Sequence, residues 1–316
     1  MAQRATNPSA YIPMHDSSAL RRGILLMIAG SAIFATNDAF SKLALAHIPP
    51  TQILAVRGVM AGVFLLGLLA WKGELPALRF AFDRRVLLRA VAEAGVAILF
   101  ITAIITMSLG DAAAIIQVAP LVTMAVAVLF LGSRIGWSQW LAVLVGFLGV
   151  TLIIKPGTSA FDAMALLPLG SALLVALRDF VTGSIGRHVP TLVVTLATTF
   201  VGMLLGFGGA LVEGWHPLDL VTLGYLFGGS VTLISGHMLT IAAFRGNDPA
   251  AIAPFRYAAV VCSVGLSAWL FGAMPDLVSI AGIALIMAAG LYAMRQHRPA
   301  PRALPAPPVE EPRKAV

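Results

Sequence analysis

The chain has 316 residues, of which 59% are hydrophobic and only 11% are charged, and its formal net charge is +7. Soluble domains average roughly 45–50% apolar and about 25% charged residues, so this composition excludes an ordinary soluble protein and predicts an integral membrane protein. The positive charge does not indicate nucleic-acid binding, because the basic residues cluster in predicted loops on one side of a membrane.

Apolar segments of about 20 residues, long enough for a helix to cross a hydrocarbon core of about 30 Å, recur along the chain. We therefore expect an all-α integral membrane protein with ten transmembrane helices, between a polar tail at 1–20 and a Pro-rich tail at 295–316. In chain order, the predicted helices cover residues 23–46, 52–71, 88–108, 112–131, 137–154, 163–184, 190–212, 219–243, 250–271 and 277–294.

The loop charges predict the orientation. With a cytoplasmic N-terminus, Lys155 is the one basic residue of the loops that falls outside, whereas all other loop and tail lysines and arginines fall inside. Because cytoplasmic loops are enriched in Lys and Arg, we expect both tails in the cytoplasm and a multi-pass protein of the cell inner membrane.

An internal repeat divides the chain. Gly30-Ser31-Ala32 matches Gly170-Ser171-Ala172 at an offset of 140 residues, and Asp38, His47 and Pro49 match Asp179, His188 and Pro190 at an offset of 141. We expect two five-helix units, residues 21–157 and 158–294. Because five is odd, the second unit enters the membrane from the opposite side, and such inverted repeats are typical of secondary transporters.

The segments RGILLMIAGSAIFATNDAFSK, AAAIIQVAPLVTMAVAVLFLG and PFRYAAVVCSVGLSAWLFG, in the first, fourth and ninth helices, resemble the EamA branch of the drug/metabolite transporter superfamily. The resemblance covers nearly the whole chain. It implies a 5+5 helix arrangement and the movement of small metabolites without ATP hydrolysis.

Seven charged residues lie deep in the predicted helices, away from their ends, where charges are costly and usually face a bundle interior or a wet cavity. Asp38 and Lys42 share a helix face at i,i+4 spacing, which predicts an ion pair with two alternative roles, a structural clamp or gate, or contact with substrate or a proton. The gating or coupling candidates are Asp38, Lys42, Arg57, Arg178 and Asp179; for Glu93 we expect an interfacial ion pair with Arg89.

Asp179 is the repeat mate of Asp38 at the opposite depth, so the two acids suggest one charged lock near each mouth of the pathway. Arg178 and Asp179 point in directions about 100° apart on their helix, so at least one of them should have a partner on another helix.

The candidate substrate-binding residues are Gln117, Arg256, Tyr257 and His237. Gln117 and Tyr257 are related by the repeat offset of 140 residues, and by resemblance their two helices line the central cavity of the family. His237 lies alone in the eighth helix, where a structural histidine and a substrate or proton contact are both open.

We therefore expect a secondary active transporter for a small organic metabolite of the vitamin, nucleoside-like, amino-acid or amine class, with riboflavin and S-adenosylmethionine as named candidates. The alternative is an exporter of amino acids or toxic metabolites. An intramembrane enzyme or a scaffold is less favoured, since the sequence contains no HExxH or GxSxG motif. We expect no catalytic residues, metal, cofactor or nucleic-acid partner. The expected environment is a lipid bilayer, and the sequence allows either a monomer or a homodimer there.

Overall fold

A computed structural model describes residues 17–131, 136–157, 162–186, 188–244 and 252–296 of the chain. All regular secondary structure in these ranges is helical. Eight helices are long and apolar enough to cross a membrane, and Phe255–Phe271 and Leu277–Ala293 are two shorter apolar helices. Most of each predicted tail lies outside the described residues.

The first half of the chain forms six α-helices, because its fourth predicted span is divided in two. A 3-10 helix, Leu75–Phe82, joins the second and third of them. The α-helices are α1 (Ser17–Ala44), α2 (Pro50–Trp71), α3 (Arg84–Ala103), α4 (Leu109–Ile116), α5 (Ala119–Leu131) and α6 (Trp137–Ile154).

The second half forms five α-helices and two short 3-10 helices, Ala163–Ala165 and Ala253–Tyr257. Pro190 precedes α8 just as Pro49 precedes α2, at matching places in the repeat. The helices are α7 (Leu166–Gly183), α8 (Thr191–Glu213), α9 (Leu220–Phe244), α10 (Ala258–Phe271) and α11 (Leu277–Gln296).

The fourth and ninth predicted spans are interrupted near Pro120 and Pro254, two prolines that indicate from the sequence a kink in each span. After α4, the backbone N–H groups of Gln117 and Val118 donate to carbonyls three residues earlier, which tightens the chain into a turn before α5. In the second half, the 3-10 helix Ala253–Tyr257 precedes α10. Both interruptions fall where the repeat places Gln117 opposite Tyr257.

Helix packing also follows the repeat. α1 packs along α9 while α7 packs along α3, and exchanging the two halves of the chain interchanges these pairs. The same exchange leaves the α2–α8 and α6–α11 pairs unchanged, because each pair consists of two helices that correspond in the repeat. The repeat mates Gly30 and Gly170 lie at equivalent crossings, Gly30 against Thr240 of α9 and Gly170 against Leu99 of α3.

Polar contacts connect loops and helix termini at each end of the bundle. At the Lys155 end, where α6 ends and α11 begins, Lys155 pairs with Asp276. The fully buried Gln52 exchanges two hydrogen bonds with the His216 backbone. At the Arg84 end, where α3 begins, Arg85 donates to the Ser184 carbonyl at 2.6 Å. These contacts position the helices that enclose the cavities.

Candidate functional site

A cavity of about 250 Å³ lies among α1, α3, α4, α7, α9 and the chain around Arg256. Its α1 wall is formed by Met27, Ser31, Phe34, Asp38 and Ser41, whose spacing of three and four residues places them on one face of the helix. This central cavity has polar side chains from both halves of the chain. They are Ser31, Asn37, Asp38, Ser41, Arg57, Glu93, Gln117, Arg178, His237, Thr240, Arg256 and Ser263.

Arg57 is almost fully buried, with 8% of its surface exposed, and its guanidinium is held by α1. It donates to Asn37 Oδ1 at 3.2 Å and to Ser41 Oγ at 2.7 Å. Asn37 in turn donates to Asp38 Oδ1 at 3.1 Å. A chain of hydrogen bonds therefore connects the Arg57 cation with the Asp38 carboxylate.

The predicted ion pair between Asp38 and Lys42 is wrong. Their charged groups do not come within the 4.0 Å that defines an ion pair. Lys42 Nζ instead donates to the Met107 carbonyl at 2.5 Å and lies 5.3 Å from the Phe271 ring centroid. The carbonyl in the α3–α4 turn needs a donor, and Asp38 already has Asn37 as a donor, which explains the different partner.

Arg178 connects α7 with α3. Its guanidinium lies 2.9 Å from the Glu93 carboxylate and 2.7 Å from the Asp179 carboxylate. Arg89, expected as the partner of Glu93, is farther from it at 3.9 Å. The expectation of a partner on another helix therefore holds for Arg178. The same residue also pairs with its neighbour Asp179, because a long guanidinium bends back along the helix surface.

The repeat mates Asp38 and Asp179 have different surroundings. Asp38 lines the central cavity, whereas Asp179 is exposed and is not among the lining residues. Glu93, which the sequence assigned to the interface, lines the cavity instead. Glu93 occurs with Val96, Ala97, Phe100 and Ile101 at helical spacing, so a search for polar residues on the inward face of α3 would have identified it.

The structure brings Gln117, Arg256 and Tyr257 together, but only two of them line the cavity. Gln117 and Arg256 are lining residues, and Gln117 Nε2 donates to the Arg256 carbonyl at 3.4 Å. Tyr257 is 3% exposed within a hydrophobic cluster, and its hydroxyl donates to the Gln117 carbonyl at 3.4 Å. Because Tyr257 does not line the cavity, its position suits a structural role, in which it supports the interrupted helices, better than contact with a ligand.

Arg256 is an exposed residue that lines the cavity. Within the part of the chain that the structure describes, no group accepts a hydrogen bond from it and no carboxylate pairs with it. Arg57 and Arg178, by contrast, both have partners. Among the described cavity residues, Arg256 is therefore the arginine whose guanidinium has all five N–H donors left for a ligand.

His237 lies where the central cavity meets a smaller one of about 100 Å³, and it lines both. Its Nδ1 lies 2.9 Å from the Leu233 carbonyl, and its ring meets Phe34 edge to face at 5.0 Å. Because a carbonyl only accepts hydrogen bonds, Nδ1 carries the proton and Nε2 is the nitrogen left to other groups. One nitrogen of His237 is thus structural, and the other is available.

The EamA-like transporter family matches residues 21–155. The chain is 30% identical over 226 residues to the riboflavin transporter of Rhizobium johnstonii, covering 71% of this chain and 74% of that relative. It is 27% identical over 281 residues to the pseudopaline exporter of Pseudomonas aeruginosa, covering 88% and 98%. It is 28% identical over 183 residues to the S-adenosylmethionine uptake transporter of Rickettsia bellii, covering 57% and 62%.

A solved crystal structure of a protein aligns with a TM-score of 0.59, covering 88% of this chain and 96% of the other at 18% identity, and it supports the fold alone. The relatives are named as transporters, not as enzymes, and the described helices are those of a multi-pass membrane protein. The chain belongs to the EamA-like transporter family.

Proposed function

We propose that this protein is a secondary active transporter that moves a small organic metabolite with an anionic or zwitterionic group across the inner membrane. The observation that carries the proposal is the Arg256 guanidinium, which lines the central cavity without a partner among the described residues. A guanidinium with unused donors in a low-dielectric cavity attracts an anionic group, and it can bind a carboxylate or phosphate through two parallel hydrogen bonds.

The pathway would use alternating access. We infer that residues 21–157 and 158–294 form two five-helix units of inverted topology, supported by the interchange of the α1–α9 and α7–α3 packing pairs. The Arg178–Glu93 ion pair connects the two units, and it would break when they separate. Arg178 with Asp179, and Asp38 with Arg57, would then be the gating groups, while Gln117, His237 and Arg256 contact the substrate.

The orientation remains the one that the loop charges predict, with both termini in the cytoplasm and the Lys155 end outside. The compounds in the relatives' names, S-adenosylmethionine and riboflavin, are the first to test. S-adenosylmethionine carries a zwitterionic amino-acid group, whereas riboflavin has no anionic group and tests whether one is required. An inverted repeat works in both directions, so the gradients determine whether the protein imports or exports.

Counterflow in proteoliposomes tests the proposal. Vesicles loaded with unlabelled riboflavin, S-adenosylmethionine or one member of a panel of anionic metabolites are diluted into the labelled compound. We expect transient accumulation of label above equilibrium for at least one compound. A compound that stabilises the purified protein against heat but shows no accumulation, or only passive equilibration, would contradict a carrier. Empty vesicles and Arg256→Gln vesicles are the controls.

A further inference from the structure

A second large cavity, of about 380 Å³, lies beyond Lys42 toward the Lys155 end. Among the described residues, it and the central cavity have no lining residue in common. Neighbouring positions nevertheless line the two: Ser41 and Lys42 on α1, and Ile101 and Ile104 on α3. The cavities therefore adjoin the same stretches of α1 and α3, which form the partition between them.

The lining of this second cavity has one lysine, Lys42, and three rings, those of His47, Tyr225 and Phe271, among five aliphatic residues. Lys42 Nζ has three donors, one of which bonds to the Met107 carbonyl. Phe271 lies below the ammonium, and the Tyr225 ring lies 6.3 Å from the His47 ring. No carboxylate lines the cavity among the described residues.

Asp111, at the first turn of α4, interacts electrostatically with Lys42 but is not a lining residue. Its Oδ2 accepts a hydrogen bond from Ser108 at 2.8 Å. The Tyr225 hydroxyl has no hydrogen-bond partner in the described part of the chain. Lys42 and Tyr225 therefore retain donors that a compound inside the cavity can use.

We propose that this cavity is a second station for the transported compound, in series with the central cavity, and that it takes a small planar anion. Its volume lies within the usual range of ligand pockets, roughly 300–1,000 Å³. The anion would meet the Lys42 ammonium, and its ring would lie against Tyr225 and Phe271. The role of the station in transport rests on the proposed function, but binding there does not.

Occupation of the station would also weaken the partition. The Lys42 ammonium is a charged donor in either case, but a carboxylate or phosphate brings a full negative charge, so it attracts the ammonium more strongly than the Met107 carbonyl does. The Lys42 bond connects α1 with the α3–α4 turn. Its loss removes one of the contacts that separate the two cavities.

Affinity labelling with pyridoxal phosphate, a planar anion with an aldehyde, tests this proposal in lipid nanodiscs. A lysine amine condenses with the aldehyde with loss of water, and borohydride reduces the imine to a secondary amine that mass spectrometry locates. The chain has four lysines, Lys42, Lys72, Lys155 and Lys314, so each site is read separately. The uncharged analogue pyridoxal is the control for the anion.

We expect pyridoxal phosphate to label Lys42 at least tenfold faster than pyridoxal does. Tyr225→Leu should slow the labelling of Lys42 at least fivefold and leave Lys72 unchanged, whereas Tyr225→Phe should retain it. His47→Ala is a second variant should Tyr225→Leu fail to fold, which its melting midpoint reveals, and it should slow Lys42 labelling without affecting Lys72.

Labelling of Lys72 without labelling of Lys42 would overturn the proposal. Equal rates for the two probes at Lys42 would overturn the anion preference, and an unchanged rate in folded Tyr225→Leu would overturn the role of the rings. Because labelling requires no transport, its result is independent of the counterflow test of the proposed function.

Discussion

The Arg178 guanidinium on α7 lies 2.9 Å from the Glu93 carboxylate on α3, and this ion pair connects the two halves of the chain. Both side chains are largely buried, with 15% and 20% of their surface exposed. Arg178 also holds Asp179 at 2.7 Å. The loss of Arg178 therefore affects two acids, whereas the loss of the Glu93 charge leaves Arg178 with one partner.

This difference predicts that Arg178→Gln destabilises the protein more than Glu93→Gln. Removing one partner of a fully buried pair costs about 3–5 kcal/mol, which is an upper limit for these partly exposed side chains. The double variant should recover part of the loss of Arg178→Gln, because Glu93 no longer lacks its main partner. Apparent melting midpoints and membrane abundance of the four proteins measure this, and equal effects of the two single changes would argue against the network.

Asp38 and Lys42 should act independently, although they are four residues apart on one helix. Lys42 bonds to the Met107 carbonyl, while Asp38 is connected through Asn37 to Arg57. Changes at sites without shared partners add within about 0.5 kcal/mol. We expect additive stability effects for Asp38→Asn with Lys42→Met, and clear non-additivity for Asp38→Asn with Arg57→Gln. Non-additive effects for Asp38→Asn with Lys42→Met, together with additive effects for Asp38→Asn with Arg57→Gln, would instead support the Asp38–Lys42 ion pair predicted from the sequence.

Gly206 on α8 lies directly against α2. A Cβ atom there would lie 2.4 Å from the Ala55 nitrogen and 2.6 Å from the Thr51 carbonyl oxygen, so the two helices would have to separate. Gly206→Ala should therefore destabilise the protein by about 1–3 kcal/mol, the usual cost of overpacking. Gly208, on the same helix, has nothing within 4 Å of its Cβ position. Gly208→Ala is thus the matched control, and equal melting midpoints for the two variants would contradict the close approach.

Asp276, at the start of α11 outside the membrane-spanning segments, gives a pH dependence. The hydrogen bond from Lys155, with a second from the Ser279 backbone, lowers the pKa of its carboxyl from 3.8 to about 2. Because the pKa in the folded state is below the unfolded value, the stabilisation is complete above about pH 4 and is lost as the pH falls toward 2. The melting-point difference between the wild type and Asp276→Asn should be constant from pH 5 to 8 and shrink below pH 4. A difference that persists at pH 2 would contradict this assignment.

The sequence predicted the helices well because hydropathy reports length and burial in lipid directly. The predicted helix at 137–154 has the same bounds as α6, and the other segments differ by a few residues. Pro120 and Pro254 indicate bends in the fourth and ninth spans, but the division of the fourth span and the 3-10 helix Ala253–Tyr257 were not predicted. They depend on hydrogen-bond geometry over three residues, which an average over an apolar segment does not register.

The candidate site was predicted by residue type but not by partner. Asp38, Arg57, Arg178, His237, Gln117 and Arg256 all line the central cavity, whereas Lys42 lies beyond it. The helical spacing of Asp38 and Lys42 shows that they share a face, but the ammonium contacts the loop carbonyl at Met107 instead. That carbonyl comes from the α3–α4 turn, which is 65 residues away in the chain, so local sequence does not reveal the contact.

The most direct test of the central claim is the binding of anionic metabolites to three purified proteins, the wild type, Arg256→Lys and Arg256→Gln. Thermal shifts identify the compounds that stabilise the protein, and titration then measures their affinities. The account predicts that an anionic or zwitterionic compound binds the wild type. Arg256→Gln should weaken the affinity for this compound at least tenfold, or by about 1.4 kcal/mol, and Arg256→Lys should weaken it less. Equal affinity of the wild type and a folded Arg256→Gln protein for every compound that binds would contradict it.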